Sequence, residues 1–555
     1  MKWIKYIFIA LLVVIGITYI SIRSMILSPP NVDYSLLNNY KVVQQDSNLW
    51  VCDDDWLHKN KGGLYELYIS GAPFEMGVKN GLLTKELAQE QELHFVNFIK
   101  TLIPSETTLN YLRYFITIFN KDLDDFIPLE YRQEIYGISL SASDDFDFIG
   151  DKYHRMLNYH AAHDIGHTIQ NMNLVNCTAF SVQNEYTKDS SLFVGRNLDF
   201  SAGDDFARKK IVVFCKPDSG YKFAYIAWGG MIGVLSGMNE HGLSISLNSA
   251  KSGIPMSAKS PVSLVSRAVL QNAKNIEEAY EIIADHETFV SESFFVSSAF
   301  DNRAVVIEKS LDETDVYDSE SSKLVLTNHF QSKKLADSKL NIEAKNEGCS
   351  VYRLNRTHEL IDQSSNIDHE KMVAILRDKK GLNNSDIGLS NEMAVNQLIC
   401  HHSLVFKPSE RLMWVSQFPY QENDFVAYDL NVLFSDTFNV SRPDFIIDSL
   451  SVKSSNFYRK GGVESIWEYR QQLDSIKEHM GDDNIVELSE SSITDILIKN
   501  PNYYYAYYII AQHYKELKAF NKARQYFNKA LECEFPRQVD RRQVIDALKE
   551  MEELN

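Results

Sequence analysis

Two short stretches hold the residue types that nucleophilic chemistry needs. Cys177 heads Cys177-Thr178-Ala179-Phe180, a run of small and apolar residues with strand character. One apolar run later comes Gly195-Arg196-Asn197-Leu198-Asp199-Phe200, read as a compact turn after a second strand. A thiol attacks a carbonyl as the thiolate, and a neighbouring cation favours that form. A nearby carboxylate can orient an amine. Against this, a lone cysteine is usually a packed core residue, and an Arg–Asp pair can simply cap a hairpin.

Two asparagines follow at probable strand ends. Asn248 closes Leu243-Ser244-Ile245-Ser246-Leu247, and Asn328 lies in Leu326-Thr327-Asn328-His329. Fixed amide donors stabilise the oxyanion of acyl transfer by about 3 kcal/mol each. Asparagine is also a common turn residue. Arg353 lies in Ser350-Val351-Tyr352-Arg353, with Arg356 three residues on. A competing signal is His160, His163 and His167, with His154 and Asp164 nearby. On a helix the first three share a face that could bind a metal, which leaves a metal-dependent, membrane-anchored hydrolase as an alternative. No His-Glu-x-x-His, phosphate loop, Gly-x-Ser-x-Gly elbow or dinucleotide fingerprint completes another site.

The 555 residues are 44% hydrophobic, enough for a large core and several units. A net charge of -19 argues against nucleic acid as a partner. Six scattered cysteines are too few for a disulfide scaffold. Tyr6 to Ile22 is almost wholly apolar, behind Lys2 and Lys5 and ahead of Arg23. This reads as an uncleaved signal anchor that leaves the body of the protein outside the cytoplasm, periplasmic or at the cell surface. The texture then runs from polar linker to helices, and from Cys177 onward to strands alternating with helix pairs, an α+β pattern. Near the C-terminus Tyr507, Ile510, Ala511, Tyr514, Ala523, Phe527 and Ala530 match one tetratricopeptide repeat. A single repeat cannot bury its own face, so it is expected to dock on the catalytic part or serve a protein partner.

The ordered motifs at Cys177, Arg196, Asp199, Asn248, Asn328 and Arg353 resemble the cysteine N-terminal-nucleophile (Ntn) hydrolases. These include bile salt hydrolases, penicillin V acylases, acid ceramidase and acyl-CoA:6-aminopenicillanate acyltransferases. The likeness spans about residues 60 to 430 and is strongest from 177 to 330. It implies a four-layer αββα sandwich and a chain that cuts itself between Asn176 and Cys177. The freed α-amine, with an ordinary pKa of about 7.7 to 8.0, becomes the base for its own thiol. The resemblance further implies that Arg196 holds the thiolate, Asp199 bonds the α-amine, Asn248 and Asn328 form the oxyanion hole, and Arg353 or Arg356 lies near the site. Some relatives carry Tyr in place of the first Asn. The spacing between Cys177 and Arg196 is longer than in bile salt hydrolases, which a longer hairpin would absorb. The expected division is 1–28 signal anchor, 29–60 linker, 61–176 helical pro-segment, 177–440 catalytic domain, 441–484 connection and 485–555 repeat-like helices. The expected reaction is hydrolysis or transfer at a linear amide of a small N-acyl substrate through a Cys177 thioester, without cofactor or metal. A catalytically dead, membrane-tethered scaffold is the third reading, and the intact motif residues argue against it.

Overall fold

The computed structural model describes residues 25–168, 175–253, 255, 257–435, 445–480 and 486–553. Alternation of apolar residues at a period of two builds two β-sheets, of eleven and six strands. The smaller sheet is antiparallel throughout. Its order is Lys323–Leu326, Val175–Asn184, Ser190–Phe200, Cys400–Lys407, Leu412–Ser416 and Phe425–Asp429. In the larger sheet, Tyr65–Gly71 pairs in parallel with Ile211–Pro217, and the other pairings are antiparallel.

Sequence neighbours on these strands face opposite clusters. Ala179, Val194 and Leu404 pack with Val212, Ile226 and Phe295 from the large sheet. Phe180, Phe193 and Val405 instead meet Met372 and Ile375 of helix His369–Leu376. On the far side of the large sheet, Val213, Ile245 and Val296 meet Val265 and Val269 of helix Val262–Asn272. The fold is therefore mixed α+β, with apolar layers on both faces of each sheet.

Among the described residues five α-helices precede Cys177: Pro73–Leu83, Lys85–Leu102, Glu106–Phe119, Leu129–Ser139 and Lys152–Thr168. The first and fourth approach so closely that a Cβ on Gly77 would lie 2.1 Å from the Glu134 carbonyl oxygen. Glu134 in turn pairs with Arg267 at 2.6 Å, both fully buried, which ties these helices to the catalytic region.

The segment read as a 29–60 linker is ordered in its second half. Val43–Asp46, Leu49–Cys52 and Asp55–Lys59 extend the large sheet. The acidic run Asp53–Asp55 within that segment holds a buried ion pair, Asp55 to Lys79 Nζ at 2.7 Å. Beside it Trp56 stacks on Tyr68. The signal-anchor segment falls mainly on residues outside those described. Among the described residues no helix is long and apolar enough to cross a membrane.

At the C-terminus, helices Tyr504–Glu516 and Phe520–Leu531 pack through Ala511, Ala523, Phe527 and Ala530, the positions singled out by the repeat spacing. Their core is shared with Leu398, Cys400 and Tyr420 of the strand region. Asn500 seals the junction by accepting from Leu389 N and donating to Leu389 O, each at 2.8 Å. Gly388, at φ +81°, lies so close to Tyr503 that a Cβ would meet its backbone nitrogen at 2.7 Å. The helices thus dock rather than hang free. Asn500→Ala is expected to destabilise the chain by about 1–3 kcal/mol through the unpaired backbone it leaves. Thermal or urea unfolding checks this, and an unchanged midpoint would mean that the junction contributes nothing.

Candidate active site

Cys177 and Arg196 meet because their strands pair. Val175–Asn184 and Ser190–Phe200 form a hairpin in which Asn176 faces Asp199, Cys177 faces Leu198 and Ala179 faces Arg196. Facing residues share a side of the sheet, so Cys177, Leu198 and Arg196 project together. Arg196 and Asp199 therefore lie inside a long strand, not in the turn expected for them. The turn comes earlier, between Asn184 and Ser190, both at positive φ, and the longer hairpin absorbs the extra spacing.

The Arg196 guanidinium donates from Nη2 toward Cys177 Sγ at 3.6 Å and to the Leu247 carbonyl. Its Nη1 donates to His402 Nε2 at 3.0 Å. Asn328 accepts from Cys177 N at 2.9 Å through Oδ1, and its Nδ2 donates to Ser249 O and Oγ, each at 3.0 Å. Arg353 joins the parts. It donates to Cys177 O, to Thr178 Oγ1 at 3.1 Å, to Asn176 Oδ1 at 3.3 Å and to Asn328 Oδ1 at 2.7 Å. Arg356 is elsewhere, held by Asp378, Glu359 and Asn384. Of the two asparagines, Asn328 touches Cys177. The Nδ2 of Asn248 donates to Thr327 O at 3.1 Å, behind it. Reading the sequence missed Gln397, whose Oε1 accepts from Asn176 Nδ2 at 3.3 Å, and also Ser249 and His402. Gln397 and His402 lie far from the motifs along the chain, and Ser249, next to Asn248, is an ordinary strand-end serine, so no local spacing marks them.

The electrostatics are those of a sealed site. Burial pushes the Cys177 thiol up to about 11, against the downward pull of Arg196 and Arg353. Asp199 is fully buried, and neither carboxylate oxygen has a hydrogen-bond partner. Burial pushes it up to about 7, although Arg353 and Arg196 pull the other way.

An apolar cavity of about 320 Å³ opens beside the hairpin. Phe95, Ile99, Leu112 and Ile116 from helices Lys85–Leu102 and Glu106–Phe119 line it, as do Val175 and Leu198. Leu198 is the residue facing Cys177. His160 also touches this cavity, but both of its ring nitrogens are engaged. Nδ1 bonds Met156 O at 2.8 Å, and Nε2 accepts from Ile232 N at 3.0 Å. Burial holds its pKa down at about 4. This bracing role leaves His160 no free nitrogen for a metal, contrary to the metal reading. Asp164 accepts from Val262 N at 2.9 Å. The side chains of His163 and His167 lie outside the described residues. Among the described residues no group of three or more His, Cys, Asp or Glu side chains could hold a metal.

A cysteine, an arginine and an aspartate thus lie on one β-hairpin in the smaller sheet. Residues 186–417 match the family model described as acyl-coenzyme A:6-aminopenicillanic acid acyl-transferase. An uncharacterised protein of Archaeoglobus fulgidus is 25% identical over 238 residues, 40% of this chain and 39% of that one. The protein dcd1B of Dictyostelium discoideum is 24% identical over 274 residues, 46% of this chain and 52% of that one. The chain thus spans about two fifths to one half of these relatives' length. Among solved structures, the Caenorhabditis elegans ortholog of N-acylethanolamine-hydrolyzing acid amidase is 22% identical. That likeness covers 42% of this chain and 93% of the other, at a TM-score of 0.30.

Because Asp199 titrates higher in the folded chain than the usual carboxylate value, folding takes up a proton there. Its ionised form therefore costs stability as pH rises from about 4 toward 7. In a Cys177→Ala background, Asp199→Asn is expected to raise the melting temperature, and by more at pH 8 than at pH 5. Equal shifts at both pH values would contradict an unpartnered carboxylate.

Proposed function

We propose that this protein is a self-activating amide hydrolase or acyltransferase whose nucleophile is Cys177. The supporting observation is Asp199, a buried carboxylate without a partner in the uncleaved chain. It gains one only when the Asn176–Cys177 bond breaks and a cationic amine appears at Cys177. Burying such a group unpaired is costly, so its retention fits a role that begins after cleavage.

In this reading Cys177 Sγ attacks the Asn176 carbonyl carbon. The peptide C–N bond breaks, and the acyl group passes to sulfur as the Cys177 nitrogen becomes an amine. Water then attacks the thioester, releasing Asn176 as a carboxylate and regenerating the thiol. The same two steps act on substrate. Sγ takes the acyl group from a linear amide while the freed α-amine relays the thiol proton to the leaving amine. Water, or an acceptor amine in a transferase, then removes the acyl group. Arg196 favours the thiolate, Asp199 orients the α-amine, and Asn328 with Arg353 holds the backbone at the reacting bond. Asn248 supports the Asn328 loop, and in this reading the two amides supply oxyanion donors after cleavage.

The cavity ending at Leu198 favours an apolar acyl chain on the substrate. The flanking pieces complete the reading. The two sheets with helices outside them act as the αββα scaffold, and the 1–28 segment anchors the enzyme with its body extracytoplasmic. The docked C-terminal pair is a repeat-like extension able to present its outer face to a protein partner.

Purified protein is expected to run as two fragments, one ending at Asn176 and the other beginning at Cys177, and Cys177→Ala as one inactive chain. Intact mass and N-terminal sequencing check this, and an active uncut chain would overturn it. Across a series of N-acyl anilides, kcat/KM is expected to rise about fourfold per added methylene until the cavity fills. A flat series would remove the acyl assignment while leaving the nucleophile in place.

A further inference from the structure

Strand Cys400–Lys407 runs beside the Arg196 strand with one irregularity. Cys400 faces Asp199, yet His402 faces Leu198, so His401 is an extra residue in the ladder. A bulge of this kind re-aims the side chains that follow it. Here it turns His402 to the side occupied by Cys177 and Arg196. His402 is fully buried between the sheets, and its Nε2 lies 3.0 Å from Arg196 Nη1 and 2.9 Å from Ser236 Oγ. Its Nδ1 lies 3.0 Å from His401 Nδ1.

An arginine can only donate, so His402 Nε2 is the acceptor. A neutral His402 then carries its proton on Nδ1 and donates it to His401. Burial first, then Arg196, His401 and Lys210, hold His402 well below its ordinary pKa. The charged and titratable groups around this cluster are Arg196, Asp199, Lys210, Glu292, Cys400 and His401. Among the described residues no carboxylate hydrogen-bonds the Arg196 guanidinium. Its acceptors are the Leu247 carbonyl, the His402 imidazole and the thiol itself.

We propose that His402 is a positioning residue that fixes Arg196 through a neutral acceptor, so that the guanidinium keeps its charge for the Cys177 thiolate. A carboxylate in the same place would orient Arg196 equally well but neutralise it. An apolar side chain would leave Nη1 unpaired and the guanidinium free to turn away. This inference rests on Cys177 as the nucleophile, but it concerns the acidity of the thiol, which is measured without turnover or processing.

The test is the pH dependence of Cys177 alkylation by iodoacetamide, read by peptide mass spectrometry in wild type, His402→Gln, His402→Leu and His402→Glu. Melting temperatures are taken in parallel. The alkylation midpoint is expected to rise by roughly one pH unit in His402→Glu and His402→Leu, and to stay near wild type in His402→Gln, whose amide oxygen restores a neutral acceptor. If His402→Leu does not fold, the Gln and Glu variants decide the matter. A merely structural role would move melting temperatures but leave the midpoints together. Coincident midpoints in His402→Gln and His402→Glu would overturn the proposal even if amide hydrolysis by Cys177 stands.

Discussion

The site depends on one antiparallel pairing, that of the strand carrying Cys177 with the strand carrying Arg196 and Asp199. The register sets Ala179 opposite Arg196 and Asn176 opposite Asp199. The thiol and the guanidinium therefore share one side of the sheet, while the aspartate lies on the other side with Asn176. A slip of one residue would move every one of these side chains to the wrong face. The pairing is protected by what covers it. Apolar clusters lie on both faces, and Asn197 donates to the Leu376 and Val395 carbonyls from within the same strand.

Around that hairpin the protein concentrates charges that water would ordinarily stabilise. Arg196, Asp199 and Arg353 are all fully buried. Buried charges cost several kcal/mol each unless paired, so their proximity is a constraint on the whole fold. Arg353 is compensated by four acceptors drawn from two segments, which locks the loop after Leu326 to the backbone at Cys177. Arg196 is held by neutral acceptors and Asp199 by none. The hairpin therefore holds polar groups whose partners are incomplete.

The elements around the site serve this arrangement in different ways. The helices before Cys177 supply the apolar wall of the cavity and are fastened by the Glu134–Arg267 pair. The C-terminal helices grip residues 388–400, the same segment that brings Gln397 to Asn176 and leads into the bulge at His401. Distant parts of the chain thus bear on a single peptide bond through rigid packing rather than through direct contact with it.

Much of the candidate site was legible in the sequence because the residue types it needs fall in short local motifs. Cys177 begins a strand-like run, and Arg196 and Asp199 occupy one short motif. Asn328 and Arg353 also fall in recognisable stretches, and the structure brings both to Cys177. The α+β texture and the spacing of the C-terminal helix pair were legible for the same reason, since periodicity is a property of neighbouring residues. Other features depend on residues far apart in the chain, and only tertiary structure decided them. Residues 29–60 read as a polar linker because the buried partner of Asp55, Lys79, lies outside that stretch. Arg353 and Arg356 were indistinguishable by type and spacing. They separate because one face of helix Ser350–Asp362 meets Asn328 and Cys177, while Arg356 meets Asp378. Gln397, His402 and the cavity wall come from segments distant in sequence that reach the hairpin only through long-range strand pairing and helix packing. A residue's type and near neighbours set what chemistry it can do, but long-range packing sets which charges it faces and whether water reaches it.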